Sequence, residues 1–325
     1  MNNIHGHLFA HYIQPPYGVS RKIYNISTSA KKYHGNIPDY KTYFLLKKLS
    51  KQLQLEYKPE ELYNLAELLL FGKNIAILPE SIGLLQNLQQ LSVVNNKLNR
   101  LPESIGLLQN LQQLNVVNNK LNRLPESISK LSNLRVLLLS KNNFSNLPES
   151  ISKLSNLQIL YLSGNNFSNF PESICKLSNL RELCISNNNL DSLPVCIGQL
   201  KKLQRLYLNN DNLINLPESI SELQNLQSLY LNNNKLINLP ESIGQLQKLQ
   251  YLMINKNKLT NLPESICKMI NLQTINLNHN ELINLPENIG QMQYLMFIHI
   301  SRGQLHIINE KIKNNNMITV IPADD

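Results

Sequence analysis

The sequence predicts an α/β solenoid, a curved horseshoe of short repeats with a parallel β-sheet on its concave face and short helices on its convex face. A Leu-Pro pair, once replaced by Phe-Pro, returns at a constant interval of 23 residues from Leu78 to Leu285. Within each interval apolar residues alternate at strand spacing, as Leu91 and Val93 do, before Pro102 opens a helical turn. Such a fixed period indicates units that bury their apolar faces only against their neighbours.

The repeat unit resembles that of leucine-rich-repeat proteins, in the intracellular group with 23-residue LPxxI-type units. Its fullest form is residues 88–110, which read LQQLSVVNNKLNRLPESIGLLQN and are nearly repeated by the stretch of equal length that follows. The chain is also similar to Ras-binding leucine-rich-repeat proteins, and to such proteins of protists or their large DNA viruses, whose AT-rich genomes fit a bias towards Asn, Ile and Lys. The resemblance implies a horseshoe fold that binds other proteins.

The chain divides into four predicted segments: a flexible basic leader at 1–39, a helical N-terminal cap at 40–64, eleven repeats at 65–317 and a C-terminal tail at 318–325. Residues 1–60 hold nine Lys or Arg against three acidic residues, so most of the formal charge of +9 lies at the front. Leu45, Leu46, Leu49 and Leu53 recur at helical spacing, and Pro59 suits the start of a second helix. We expect these helices to shield the first repeat, with a partner-binding or membrane-binding helix as the alternative.

A polar position follows each predicted strand and forms what we call the asparagine ladder. An amide side chain both donates and accepts hydrogen bonds, so we expect it to satisfy buried backbone groups of the turn. An ionised aspartate only accepts, and the ladder should be weaker where Asp211 stands. The members are Asn96, Asn119, Asn142, Asn165, Asn188, Asp211, Asn234, Asn257 and Asn280.

The motifs of catalysis and export are missing from the sequence. It contains no nucleotide-binding or nucleophile motif, no secretory signal and no apolar run long enough to span a membrane. The four cysteines, at 175, 184, 196 and 267, lack metal-ligand spacing and are expected to be reduced thiols. We therefore expect an intracellular, cytoplasmic protein (in the host cytoplasm if viral) that is not an enzyme and has no metal or other cofactor.

The predicted function is noncatalytic protein binding through the concave face, by a monomeric scaffold or adaptor. The candidate partner-binding residues are outward strand positions of the middle repeats: Leu138, Tyr161, Tyr207, Tyr230, Tyr251 and Met253. We expect a signalling protein as the partner, and the resemblance adds a Ras-like GTPase as a candidate. Two alternatives stay open: a substrate-recognition subunit of a ubiquitin ligase, and nucleic-acid binding through the basic leader, which is disfavoured because the leader shows no stacking platform.

Overall fold

The computed structural model describes residues 37, 39–312, 315 and 317–324. The predicted leader lies outside these residues except for Ile37 and Asp39. In the described part, twelve short strands form one sheet in chain order, and every neighbouring pair is parallel. The predicted fold class, an α/β solenoid with a parallel sheet, is thereby confirmed.

The strands of the first ten repeats are equally short, and each pairs with the next at an offset of one repeat period. The bounds of the twelve described strands are β1 Glu67–Leu69, β2 Gln90–Ser92, β3 Gln113–Asn115, β4 Val136–Leu138, β5 Ile159–Tyr161, β6 Glu182–Cys184, β7 Arg205–Tyr207, β8 Ser228–Tyr230, β9 Tyr251–Met253, β10 Thr274–Asn276, β11 Phe297–Ser301 and β12 Thr319–Ala323. Because the register is constant, equivalent residues of successive repeats stand side by side across the sheet.

The other side of the stack is built from 3-10 helices, one after each Leu-Pro or Phe-Pro pair. In repeat two the helix runs from Glu103 to Leu107 with Pro102 as its N-cap, and Ile105 and Leu108 are completely buried. Side chains three residues apart eclipse in a 3-10 helix, so this spacing suits one apolar face. The full set is Glu80–Leu84, Glu103–Leu107, Glu126–Lys130, Glu149–Lys153, Glu172–Lys176, Val195–Gln199, Glu218–Glu222, Glu241–Gln245, Glu264–Lys268 and Ile289–Gln291, followed by Arg302–Gln304.

Two α-helices precede the first strand, α1 (Tyr40–Gln52) and α2 (Pro59–Tyr63). Asp39 caps α1 by accepting a hydrogen bond from the Thr42 N–H at 2.8 Å. Leu46, Leu49 and Leu53 of the predicted periodic set, with Leu62 of α2, are buried in the same apolar core as the first repeat. Exposed lysines occupy the opposite side of α1, so the helix separates this core from solvent.

The C-terminal residues extend the sheet beyond the last predicted repeat. Helix α3 (Leu305–Ile312) buries Ile308, and β12 pairs with β11 at an offset one residue shorter than the repeat period. The sequence predicts a tail here because no further Leu-Pro pair follows, but Ile318 is buried in the common core and draws the chain into register. Pro322 lacks an N–H, and this limits further pairing at the open edge of β12.

The turn after most strands contains one residue with a left-handed backbone. It is Asn at positions 95, 118, 187, 210 and 233, Lys at 141 and 256, His at 279, and Gly at 72 and 164. Asn tolerates positive φ better than other non-glycine residues, which explains its use at this exposed position. The amide of Asn210 donates to Asn187 at 3.0 Å, and that of Asn233 donates to Asn210 at 2.8 Å.

The asparagine ladder ties each repeat to the one before it. In all nine repeats the ladder side chain accepts a hydrogen bond from a backbone N–H 21 residues earlier. The eight asparagines also donate to a backbone carbonyl 26 residues earlier. In Asn119 these bonds reach Leu98 at 2.9 Å and Val93 at 2.7 Å. Buried backbone groups of one repeat are therefore satisfied by the side chain of the next.

Asp211 occupies the ladder in repeat seven, where it accepts hydrogen bonds from the preceding repeat but donates none. Its Oδ1 accepts from the backbone N–H groups of Asn188 and Leu190 at 3.0 and 3.2 Å. Its Oδ2 is buried without a partner among the described residues. Burial raises the pKa of the Asp211 carboxyl from 3.8 to about 7, against the lowering effect of the two N–H donors.

Cys175 and Cys196 form a disulfide between adjacent 3-10 helices, with their Cα atoms 5.7 Å apart. The expectation of four reduced thiols is wrong for this pair. Side chains on adjacent helices meet here at an offset of 21 residues, whereas the repeat period matches Cys175 with Cys267. Cys184 and Cys267 are free, and burial followed by the charge of Glu264 raises the pKa of Cys267 to about 11. Disulfides persist mainly in oxidising compartments. The bond therefore does not support the expected cytoplasmic location, which stays a prediction.

The asparagine ladder makes a stability prediction for two neighbouring residues. Asn188→Leu leaves the Phe167 N–H and the Leu162 carbonyl without partners, whereas Asn189 is exposed. We expect the Asn188 variant to lose about 2–3 kcal/mol more unfolding free energy than Asn189→Leu, the matched control. Urea unfolding measures both variants, and equal midpoints would show that the ladder amide is not structural.

Asp211 makes a pH-dependent prediction. Its folded pKa lies above its unfolded pKa, so the folded state binds the extra proton and stability falls as the pH rises from about 4 through 7. Asp211→Asn restores the donor and removes this loss. We expect its stability advantage over the unaltered protein to grow by roughly 2 kcal/mol between about pH 5 and pH 8. A constant difference across that range in urea unfolding would contradict the assignment.

The Cys175–Cys196 bond predicts a redox-dependent stability. Closing a loop of 21 residues restricts the unfolded chain, so reduction should lower the unfolding free energy by about 3 kcal/mol. A variant with serine at both positions should already have the lower value and should not respond to reductant. Alkylation after unfolding without reductant, read by mass spectrometry, should label Cys184 and Cys267 only; label on Cys175 and Cys196 would show that the bond does not form.

Candidate binding surface

The outward side of the sheet, here called the strand face, carries the six predicted partner-binding residues. Five of its side chains follow one register row across neighbouring strands: Leu138, Tyr161, Tyr207, Tyr230 and Met253, with Cys184 between the first two tyrosines. Tyr251 stands two residues before Met253, on the same side of β9. We call these six residues the aromatic patch. The structure thus places them as neighbours from β4 to β9.

The centre of the aromatic patch is a pair of stacked rings. The ring centroids of Tyr207 and Tyr230 are 4.6 Å apart and the rings are inclined by only 9°. Tyr230 is only 6% exposed, which corrects the expectation of an exposed side chain. The reason is the in-register pairing of β7 with β8, which places the two rings face to face. The other five residues of the aromatic patch are partly exposed.

A charged group lies beside the stacked rings. Glu182 of β6 accepts a hydrogen bond from the Tyr161 hydroxyl through Oε1, and its Oε2 lies 3.4 Å from Nε of Arg205. The Glu182 side chain is 12% exposed and that of Arg205 is 44% exposed. Burial and the bond to Glu182 raise the pKa of the Tyr161 phenol, so this hydroxyl remains a donor. One oxygen of the Glu182 carboxylate therefore accepts the Tyr161 hydrogen bond, and the other faces Arg205 in an ion pair.

Short polar side chains, two residues further along the chain than the register row of the aromatic patch, border this patch. The Cys184 thiol lies 2.9 Å from the Ser163 hydroxyl, and burial raises its pKa, so it is a poor nucleophile. Further along, Ser186 accepts a hydrogen bond from the Asn209 N–H at 3.0 Å, and Asn209 accepts one from the Asn232 N–H at 2.9 Å. These side chains are occupied by the backbone of the next repeat. They fix the turn rather than reach for a ligand.

Charge is distributed unevenly between the two sides of the repeats. Eight of the ten 3-10 helices that follow a Leu-Pro or Phe-Pro pair begin with glutamate, and four of these eight end with lysine, so the charges of the helical side partly offset one another. Between β4 and β10, Glu182 is the only acidic strand residue, against Arg205 on β7 and the exposed Arg135 and Arg181 at the start of β4 and β6. The middle of the strand face is therefore the more positive side.

One further concavity lies away from the aromatic patch. It is a groove of about 470 Å³ formed by the segments that lead into the helices of repeats two to four. Arg100 and Arg123 line it together with Glu80, Glu103 and Glu126, so its charges offset one another.

In the described residues no cluster of His, Cys, Asp or Glu is placed to hold a metal ion. Nor is any described helix long and apolar enough to cross a lipid bilayer.

Sequence reasoning located the aromatic patch and missed the charged group beside it. Glu182 and Arg205 are one repeat period apart and carry opposite charges, and this spacing is the signal that could have paired them. The hydrogen bond from Tyr161 to Glu182 joins the last residue of β5 to the first residue of β6, and these two residues lie in different register rows. A search within single register rows does not find such a diagonal contact.

A stack of short parallel strands and 3-10 helices, repeated at a constant period, defines a solenoid repeat protein. Family comparison finds a leucine-rich repeat region at residues 125–213, leucine-rich repeats at 201–259 and 224–282, and a further repeat at 110–131. The chain belongs to the leucine-rich-repeat family, which confirms the resemblance found in the sequence. A comparison with curated protein sequences finds no match.

Several solved structures share the fold. A leucine-rich-repeat protein of Leptospira interrogans is 34% identical with a TM-score of 0.71, over 80% of this chain and 73% of that one. The plant peptide hormone receptor RGFR1, solved with RGF2, is 29% identical with a TM-score of 0.68, over 81% and 44%. The Arabidopsis receptor kinase HAESA, solved with the peptide hormone IDA and the co-receptor SERK1, is 26% identical with a TM-score of 0.64, over 81% and 46%. The chain spans less than half of the two plant proteins.

Proposed function

We propose that this protein is a noncatalytic scaffold or adaptor that binds a partner protein through the aromatic patch. The observation that carries the proposal is the register row from Leu138 to Met253, in which five large side chains and Cys184 stand where earlier repeats have the small polar Ser92 and Asn115. Tyrosine provides a large contact area at low entropic cost and is enriched at interface hot spots. Its concentration in the middle repeats favours a specific contact there.

The size and rigidity of the patch suit an extended segment of a partner. Six strands at ~4.8 Å spacing span about 24 Å, which about eight extended residues would cover. The ladder and the sheet hold the side chains in place before binding, which reduces the entropy lost on association. RGFR1 and HAESA, which share this fold, were solved with peptide hormones. For this chain we propose a peptide segment of a signalling protein; the Ras-like GTPase stays a prediction.

The test removes the three tyrosines of the row and uses a displayed library of random peptides as the probe. Peptides selected on the unaltered protein should bind the triple variant Tyr161→Ser, Tyr207→Ser and Tyr230→Ser about 30-fold or more weakly, since one hot-spot side chain contributes about 2 kcal/mol or more. Circular dichroism and thermal unfolding establish that the triple variant is folded at the temperature of the assay.

The matched control replaces two exposed tyrosines outside the strand face, Tyr57→Ser and Tyr294→Ser. This double variant should keep full affinity for the selected peptides. If the folded triple variant binds them as tightly as the control does, the aromatic patch is not the binding surface. If the unaltered protein selects no peptide, recognition of an extended segment is excluded.

A further inference from the structure

Arg205 presents hydrogen-bond donors that the fold itself does not use. Its Nε faces Glu182 at 3.4 Å, and none of the described residues accepts a bond from its two Nη groups. A guanidinium donates through five N–H groups in a planar fork, so four remain available on the exposed side of the side chain. Arg205 therefore lies beside Glu182 and still has N–H groups that can donate hydrogen bonds to a ligand.

Glu182 fixes the direction of that fork. Its carboxylate is held by the Tyr161 hydroxyl on one oxygen and by Arg205 on the other, and it is mostly buried in the sheet. Because the Glu182 carboxylate is mostly buried and bonded to Tyr161, the ion pair favours one position of the Arg205 side chain before a ligand binds. The remaining donors suit two parallel bonds to one carboxylate.

The surroundings of Arg205 favour a ligand with a single negative charge next to an apolar group. Glu182 offsets the charge of Arg205 locally, while Arg181 at the start of β6 adds a positive charge nearby. A phosphate monoester carries nearly two negative charges, which is more than the single guanidinium of Arg205 offsets. Tyr207 lies two residues along β7 on the same side, stacked on Tyr230, and provides a flat apolar surface beside the fork.

We propose that Arg205 is the specificity anchor of the aromatic patch and binds the side-chain carboxylate of an Asp or Glu in an extended peptide. The partly exposed ring of Tyr207 then packs against an apolar side chain one or two residues away in the same peptide. This inference rests on the proposed function and adds to it the chemistry of the partner: an acidic residue next to an apolar one.

The experiment selects random peptides of about 12 residues, fused through their C-termini so that no free chain carboxylate contributes. Peptides selected on the unaltered protein should share one Asp or Glu close to a large apolar residue. Replacing that acid by its amide should weaken binding roughly tenfold, as expected for a charge-assisted pair. Arg205→Gln should weaken binding equally, and the two changes together should add little, because they remove the same contact.

Two variants serve as controls. Arg135→Gln removes an exposed charge that lies three strands away from Arg205 and outside the anchor, and this variant should keep the preference for the acid. Arg205→Lys keeps the charge without the fork and should bind more weakly than the unaltered protein. Thermal unfolding checks that each variant is folded, and additive losses in the double change would show that Arg205 and the acid do not meet.

The outcomes separate this inference from the proposed function. Selected peptides that depend on Tyr207 but show no acidic preference overturn the anchor and leave the aromatic patch in place. A preference for phosphorylated over acidic peptides, measured with matched synthetic pairs, also overturns it. A protein that selects no peptide at all overturns both.

Discussion

The hydrogen bonds from each ladder asparagine to the backbone of the preceding repeat are the contacts on which the fold depends. Each repeat has one very short strand and one short 3-10 helix, so few of its backbone groups pair within the repeat itself. The turn that joins them lies against the core, where an unpaired N–H or carbonyl costs about 1–3 kcal/mol. One amide side chain per repeat satisfies both kinds of group across the repeat boundary. Cohesion between repeats therefore comes from hydrogen bonding as well as from stacked leucines.

The same bonds give the strand face its order. Because each repeat is held to the last in one register, side chains one repeat period apart become neighbours across the sheet. A tyrosine row in the sequence becomes a row in space, and its stacked centre leaves little freedom to the two rings. The charged group of Tyr161, Glu182 and Arg205 is fixed in the same way. A partner that binds the strand face as proposed would meet side chains that are largely organised beforehand.

The position of each candidate residue could be read from the sequence, but its environment could not. The period assigns Tyr207 and Tyr230 to one row, yet only the packed rings decide that Tyr230 is buried. Arg205 appears in the sequence as a charge at a strand position, and its role depends on a diagonal contact between β5 and β6 that fixes Glu182. The disulfide was missed for a similar reason, since Cys175 and Cys196 meet between adjacent helices at an offset that differs from the repeat period.

The sequence by itself determined the architecture, the register of the rows and the identity of the ladder, because all three follow from a constant period and from the donor and acceptor groups of each side chain. Only the tertiary structure decided how far each side chain is exposed, and which groups of different rows meet. It also turned the expected tail into β12, because the buried Ile318 completes the last apolar layer. Periodicity fixes which residues are equivalent, whereas burial and diagonal contacts depend on the shapes of side chains packed from several repeats at once.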